Sequence, residues 1–258
     1  MGFETAFFRS IELMKIIAYF LSVIFYLLFG LTLVIFHGIQ WICLKFGYQA
    51  HKKSVDIFNF FLLGCLKFLG SYITFDNPYE FAKDRPHLII ANHQGMFDIP
   101  PLIWYLQKLH PKFISKKELG KGIPGISFNL RHGGSVLIDR NDSEQSIKAI
   151  SQFCEYLNTT KHSAVIFPEG TRSKTGQPRD FSRNGLRTLF QSCPEAVVVP
   201  VTINNSWLMQ KWGMFPLGIF INFKFKVHQP LKVEDYTSHE ALIDLVEEQV
   251  TTAIHSKK

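Results

Sequence analysis

Four cysteines, Cys43, Cys65, Cys154 and Cys193, are scattered through 258 residues without a C-x-x-C pair among them. That shortage argues against a zinc site and against a disulfide framework, and leaves buried free thiols in a reducing compartment as the expectation. No G-x-S-x-G stretch occurs, so the strand-turn-helix elbow that presents a serine nucleophile is missing. No cysteine sits in a polar context, so a thiolate nucleophile is not expected either. Internal repeats and low-complexity tracts are absent. Charged residues make up only 19% against 47% hydrophobic, which excludes a disordered chain and predicts one substantial domain with an appendage.

Charge is also unevenly distributed. From Ile16 to Leu44 there is no Asp, Glu, Lys or Arg, a run longer than the roughly 20 residues a helix needs to cross a bilayer. It starts too far in, runs too long and lacks the small-residue cleavage site of a removable signal peptide. A second apolar stretch, Ile57 to Gly70, carries Lys67 and is short for a span, which suits a re-entrant or interfacial helix. Together they predict a membrane-associated helical hairpin over residues 1–70. Two core helices of a soluble domain are the competing reading. Arg9 and Lys15 before the long run and Lys45, Lys52 and Lys53 after it give no orientation.

What the sequence does contain begins beyond Gly70, where short apolar runs alternate with amphipathic stretches. "HLIIA" (87–91), "KFIS" (112–115), "SVLID" (135–139), "AVIF" (164–167) and "AVVVPVTI" (196–203) are predicted strands. Ser143 to Leu157 places Ile147, Ile150, Phe153, Cys154 and Leu157 at helical spacing. The alternation predicts an α/β fold over 71–258, with a mostly parallel central sheet covered by helices. "INFKFKVHQPL" alternates as a half-exposed strand does. Thr237-Ser238-His239-Glu240 then offers a capping box for a last helix with Leu242, Leu245, Val246 and Val250 on one stripe.

The polar residues that could do chemistry follow these strands, where open α/β sheets place their sites. "HLIIA" leads to His93 and Asp98, "KFIS" to Lys116 and Lys117, "SVLID" to Arg140, and "AVIF" to Pro168-Glu169-Gly170-Thr171-Arg172. A histidine and an aspartate five residues apart cannot meet on one helix face, so they meet only across a turn. A neutral imidazole suits proton abstraction from a hydroxyl near neutral pH, and a carboxylate on its other nitrogen fixes the tautomer. With no nucleophile in the chain, the substrate's own hydroxyl has to attack an electrophile that is already activated, such as a thioester. Arg140, Arg172 and Lys116 then suit an anionic group. Asp98 also precedes Ile99-Pro100-Pro101, where it could simply cap a helix, and Arg140 could pair with Asp142 or Glu144. Glu169 and Thr171 could merely form a turn.

A net charge of +7 suits a membrane surface, a phosphate ester or nucleic acid. No nucleic-acid recognition motif is present, and that reading leaves the apolar N-terminus unexplained, so no nucleic-acid partner is expected.

Four blocks carry a specific likeness: Asn92-His93-Gln94-Gly95-Met96-Phe97-Asp98, "GSVLIDR" from Gly134 to Arg140, "FPEGTRS" from Phe167 to Ser173, and the Val-Pro-Val strand around Pro200, with "SKKEL" (115–119) between the first two. Over about residues 85–230 the sequence resembles the 1-acylglycerol-3-phosphate (lysophosphatidate) acyltransferases of the glycerolipid acyltransferase superfamily. The resemblance implies transfer of a fatty acyl group from acyl-CoA or acyl carrier protein, as co-substrate, to 1-acylglycerol 3-phosphate, giving phosphatidic acid. It implies His93 as general base and Asp98 as its orienter, with Lys116, Arg140 and the turn Glu169, Gly170, Thr171 and Arg172 binding the acceptor phosphate. No cofactor and no metal is implied. Membrane lipids are the expected partners, with the protein at the cell membrane and its catalytic domain on the cytoplasmic face. One departure is "FSRNG", where many relatives carry Phe-Lys-x-Gly; Phe181 and Gly185 are one residue further apart and Arg183 is the nearest cation. The rival expectations are an acyltransferase for another lyso-lipid, such as a lyso-aminolipid, and a catalytically silent lipid-binding protein.

Overall fold

The computed structural model describes residues 2–254, with side chains from 12 to 254. Arg9 lies outside the described side chains. Helix α1 (Gly2–Lys45) and helix α2 (Tyr48–Lys67) are joined by Phe46 and Gly47 and pack on each other, as the predicted hairpin requires. From Glu12 to Lys45, α1 is long and apolar enough to cross a membrane; an 18-residue window within it has mean hydropathy 2.4 and is only 17% buried. Its buried residues, Ala18, Ser22, Phe25, Phe36 and Gln40, recur at helical spacing and form one stripe. The remaining faces expose Ile16, Phe20, Leu27, Leu31 and Val34. α2 begins nine residues earlier than its apolar run, because Tyr48, His51, Ser54 and Val55 already form its packed side.

The sheet has the strand order β1-β7-β6-β2-β5-β3-β4, with β8 beside β6. Its strands are β1 (Tyr72–Asp76), β2 (His87–Ala91), β3 (Pro111–Lys116), β4 (Val136–Ile138), β5 (Ser163–Ile166), β6 (Val197–Asn204), β7 (Asn222–Val227) and β8 (Leu231–Lys232). From β6 through β2, β5 and β3 to β4 every pairing is parallel; β7 and β8 run antiparallel to β6. The expected late strand is therefore two strands, interrupted at His228 to Pro230. Pro200 falls where β6 changes partner from β8 at 197–198 to β7 at 201–204, a place that tolerates a residue without an N–H.

Alternate residues of β2 face opposite layers. Ile89 and Ala91 join one core with Phe113, Val165, Val199, Phe223 and the helices' Phe25, Leu66 and Leu69. Leu88 and Ile90 join the other core, under α5 (Ser143–Thr160), α6 (Arg183–Ser192) and α7 (His239–Thr252). Both faces of the parallel strands are thus covered, which is why they are apolar runs. α3 (Ile99–Tyr105), with prolines in its first turn, and α4 (Ile126–His132) complete the layer that holds the hairpin. The N-terminal helices and the sheet share one core, so α1 runs along one face of the sheet.

At α7 the cap differs from the expected box. Ser238, not Thr237, is the cap, its hydroxyl accepting from Ala241 N, while Glu240 turns to Arg183 and Arg187 of α6. Ile243 is buried on the stripe, and Leu245 is only half-buried. Arg183, the nearest cation after the third block, also pairs with Asp244 at 2.6 Å, so it links two helices. All four cysteines are free; Cys65, Cys154 and Cys193 are buried and Cys43 is half-buried.

Phe25 is 1% exposed and meets the Phe97 ring at 5.6 Å. Truncation to alanine in a packed core costs about 3–5 kcal/mol. Phe25→Ala is expected to lose that much in denaturant unfolding of the micelle-solubilised protein, whereas a loss below about 1 kcal/mol would show α1 to be a mere appendage.

Candidate active site

Strand β2 continues through α3 to β3 on one side, and β5 continues through α6 to β6 on the other. These neighbours lead in opposite directions, which opens a crevice at their carboxyl ends. Both ends are loaded with polar residues, His93 after β2 and Glu169 to Arg172 after β5.

Asn92 is buried and extends the ladder with its side chain: Oδ1 accepts from Ile203 N at 2.6 Å and Nδ2 donates to Ile203 O at 2.9 Å. The chain then turns, and His93 Nδ1 meets Asp98 Oδ2 at 2.8 Å. That same oxygen accepts from Gln94 N at 2.7 Å and Gly95 N at 2.9 Å, and Ser206 Oγ donates to Oδ1. Asp98 is wholly buried, and it makes no side-chain cap to α3; the capping alternative is not what its carboxylate does. An ionised carboxylate only accepts, so in the neutral imidazole Nδ1 carries the proton and Nε2 keeps its lone pair. Gly95 is glycine because a Cβ there would stand 3.2 Å from Ser206 O, in the way of this closure. Phe167 stacks on the imidazole at 4.2 Å and 15°, and His93 O accepts from Ser173 N at 2.7 Å.

His93 lines a cavity of about 550 Å³, within the range for small-molecule sites. Strand-end loops supply Lys116, Arg140, Gly170, Thr171 and Arg172, and α1, α2 and α4 supply Phe29, Phe58, Leu62, Ile126 and Leu130. Three cations, with Glu118 among them, and a set of apolar side chains line one cavity, an arrangement suited to an amphiphile with an anionic head. Arg140 donates to Gly170 O and so braces the turn after β5, where Gly170 adopts φ +70°. Asp142, an alternative partner for Arg140, instead caps α5 by accepting from Gln145 N at 3.0 Å. Lys117 pairs with Asp139 at the surface.

Glu169 stands apart from the lining. Its Oε1 accepts from His93 N at 3.2 Å, and its Oε2 is buried without a partner. Its hydrogen bond supports the turn that carries His93, and it is not among the residues that line the cavity. Burial, reinforced by the charge of Asp98, pushes its carboxyl up to about 7, against the opposing pull of the His93 N–H bond and Arg179. Ser206, Asn92 and Phe167 are structural parts of the site that spacing alone does not reveal. Asn92 and Phe167 lie inside conspicuous blocks; Ser206 has only its place after a strand end as a signal.

A carboxyl raised in the folded state stabilises the fold below its unfolded value and loses that contribution as pH climbs through about 7. Glu169→Gln, which mimics the protonated form, is expected to match the wild-type Tm near pH 5 and to exceed it near pH 8. Thermal unfolding across that range checks this; parallel Tm curves for the two proteins would contradict it.

Known proteins resemble this chain in sequence and in fold. A family model described as Acyltransferase matches residues 72–204. A 1-acyl-sn-glycerol-3-phosphate acyltransferase of Saccharomyces cerevisiae is 25% identical over 207 residues, 78% of this chain and 60% of that protein. One from Helicobacter pylori is 41% identical over 121 residues, 46% of this chain and 48% of the relative. These matches therefore span less than two thirds of either relative. The crystal structure of the 1-acyl-sn-glycerophosphate (LPA) acyltransferase PlsC from Thermotoga maritima superposes with TM-score 0.74 over 95% of this chain and 99% of that one, at 24% identity, a likeness of fold.

Proposed function

Because this chain belongs to the acyltransferase family, we propose that it transfers a fatty acyl group from a thioester donor, acyl-CoA or acyl carrier protein, to the free hydroxyl of 1-acylglycerol 3-phosphate. The product is phosphatidic acid. The observation that carries this reading is the buried, fully hydrogen-bonded Asp98 behind a His93 that faces a cavity with cationic and apolar walls.

His93 Nε2 takes the proton of the acceptor hydroxyl as its oxygen attacks the thioester carbonyl, and Asp98 stabilises the imidazolium that forms. Collapse of the tetrahedral intermediate breaks the carbon–sulfur bond. The imidazolium then returns its proton to the departing thiolate, which leaves His93 ready for another turnover. Lys116, Arg140 and Arg172 hold the acceptor phosphate, with guanidinium forks in two of the three positions. Gly170 and Thr171 shape the turn that presents Arg172.

Membrane lipid is the proposed partner of α1. The helix is packed on the domain from Ala18 to Gln40, so it lies along the protein with its opposite faces in lipid, in the plane of the bilayer surface. A single amphiphilic substrate then passes from the membrane to the cavity without crossing water.

Loss of a general base costs about 10² to 10⁴-fold, so His93→Ala is expected to cut kcat by that factor while the protein stays folded. Arg172→Ala is expected to lower kcat/KM for lysophosphatidate by about 10 to 150-fold, the loss of one charge-assisted contact, and to leave a phosphate-free lyso-lipid unaffected. Steady-state kinetics in mixed micelles with both acceptors measure these together. Near wild-type kcat in folded His93→Ala would sink the mechanism, and equal losses on both acceptors would reassign Arg172 to the turn and point to a lyso-aminolipid as acceptor.

A further inference from the structure

Between β6 and β7 the chain carries Lys211-Trp212-Gly213-Met214-Phe215 and, a few residues on, Phe220. Met214 is 55% exposed, Phe215 48% and Phe220 58%. The fold does not need these side chains outside, because the backbone around them is already anchored. Leu217 N donates to Ser22 Oγ at 2.8 Å, Phe220 N donates to Leu69 O at 2.9 Å, and the Tyr26 hydroxyl donates to Met214 O. The segment is therefore strapped across α1 and the end of α2. The Phe215 ring lies 5.2 Å from that of Tyr19, and the Phe220 ring covers Gly70, two residues beyond the exposed Phe68. The exposed apolar side of α1 thus runs on without a break into a crest that belongs to the catalytic domain.

We propose that this crest, Met214, Phe215 and Phe220, inserts into the same bilayer surface as α1, so that the catalytic domain itself grips the lipid. The inference rests on the membrane reading of α1. Three features favour a bilayer as the occupant. Continuity with α1 means that a partner covering the crest alone would leave the larger apolar face in water. Lys211 Nζ sits 4.2 Å over the Trp212 ring directly beside Met214 and Phe215, the pairing of amphipathic ring and cation that suits the headgroup level. Lys67, exposed at the end of α2, adds a second cation at the same end of the hairpin. The segment starts at Ser206, which holds Asp98. Lipid contact at the crest therefore sets the dyad and its cavity at a fixed height against the membrane, with Met96, partly exposed in the cavity lining, beside the catalytic turn.

The test is spin-label accessibility in the full-length chain on phosphatidylcholine vesicles containing anionic phosphatidylglycerol. Labels are placed singly at Phe215→Cys, at Leu27→Cys on the exposed side of α1, and at Lys232→Cys on the exposed edge of β8, in a Cys43→Ser background. The expected result is high oxygen and low nickel-complex accessibility at 215, as at 27, with the reverse at 232. A label at 215 that behaves like 232 while 27 stays in lipid would overturn the crest and leave the anchor standing. Solvent-like behaviour at both 215 and 27 would overturn the membrane reading and the crest with it. Low access to both reagents at 215, with spin–spin broadening, would show a second copy covering the crest and equally refute lipid contact. In activity, the triple variant Met214→Ser, Phe215→Ser, Phe220→Ser is expected to lose roughly tenfold or more on vesicle-borne lysophosphatidate, and nothing on a monomeric short-chain acceptor. Equal activity of variant and wild type on vesicles would count against the crest.

Discussion

The carboxylate of Asp98 is the constraint around which the site closes. It is wholly buried, and a buried carboxylate is tolerated only when donors surround it. Those donors come from two distant stretches: the turn His93 to Gly95, which leaves β2, and Ser206, which leaves β6. Satisfying one side chain therefore fixes the histidine tautomer, the path of the turn and the approach of two loops. The close packing of Gly95 on Ser206 is the steric counterpart of the same closure. Glu169 adds a second carboxyl behind His93, and burial, reinforced by the charge of Asp98, pushes it up to about 7, so that it adds a full second negative charge only above that pH.

The sheet gives that closure a rigid frame. β2 lies between β5 and β6, buried on both faces, and the loops after all three strands converge where the connections diverge. The greasy half of the cavity comes from a different source, the helices that precede the sheet in the chain. Phe29, Phe58 and Leu62 face the cavity from the hairpin, so the helices proposed to meet lipid also complete the wall of the site. In the proposed reading, anchoring and substrate accommodation become properties of one surface, which fits a hairpin that shares its core with the sheet.

Much of this was legible before any coordinates. "HLIIA" becomes β2 residue for residue, and the other apolar runs become β3 to β6 with each end shifted by one residue, because strands covered on both faces are mostly apolar. β1 escaped notice: Tyr72–Asp76 alternates exposed and half-buried residues at a sheet edge, a weak pattern. α6 was hidden by its short length and by the ion pairs of Arg183 and Arg187, which recruit Glu240 from the predicted cap of α7. In the site, the strand-end rule points to His93, Lys116, Arg140 and Arg172, which line one cavity, and to Glu169, which lies outside that lining and holds the His93 backbone; it is silent on Ser206, whose role depends on a partner 108 positions away.

The proposed reaction depends on Asp98 holding His93 with its proton on Nδ1 and its lone pair on Nε2 toward the cavity. Nitrogen-15 NMR of the histidine ring in the full-length, detergent-solubilised protein, with His93→Gln used to assign the signal, tests it directly at neutral pH. The expected His93 spectrum shows a protonated Nδ1 and a bare Nε2, with a shift toward mixed tautomers in Asp98→Asn. A wild-type His93 with its proton on Nε2, or a tautomer balance unmoved by Asp98→Asn, would contradict it.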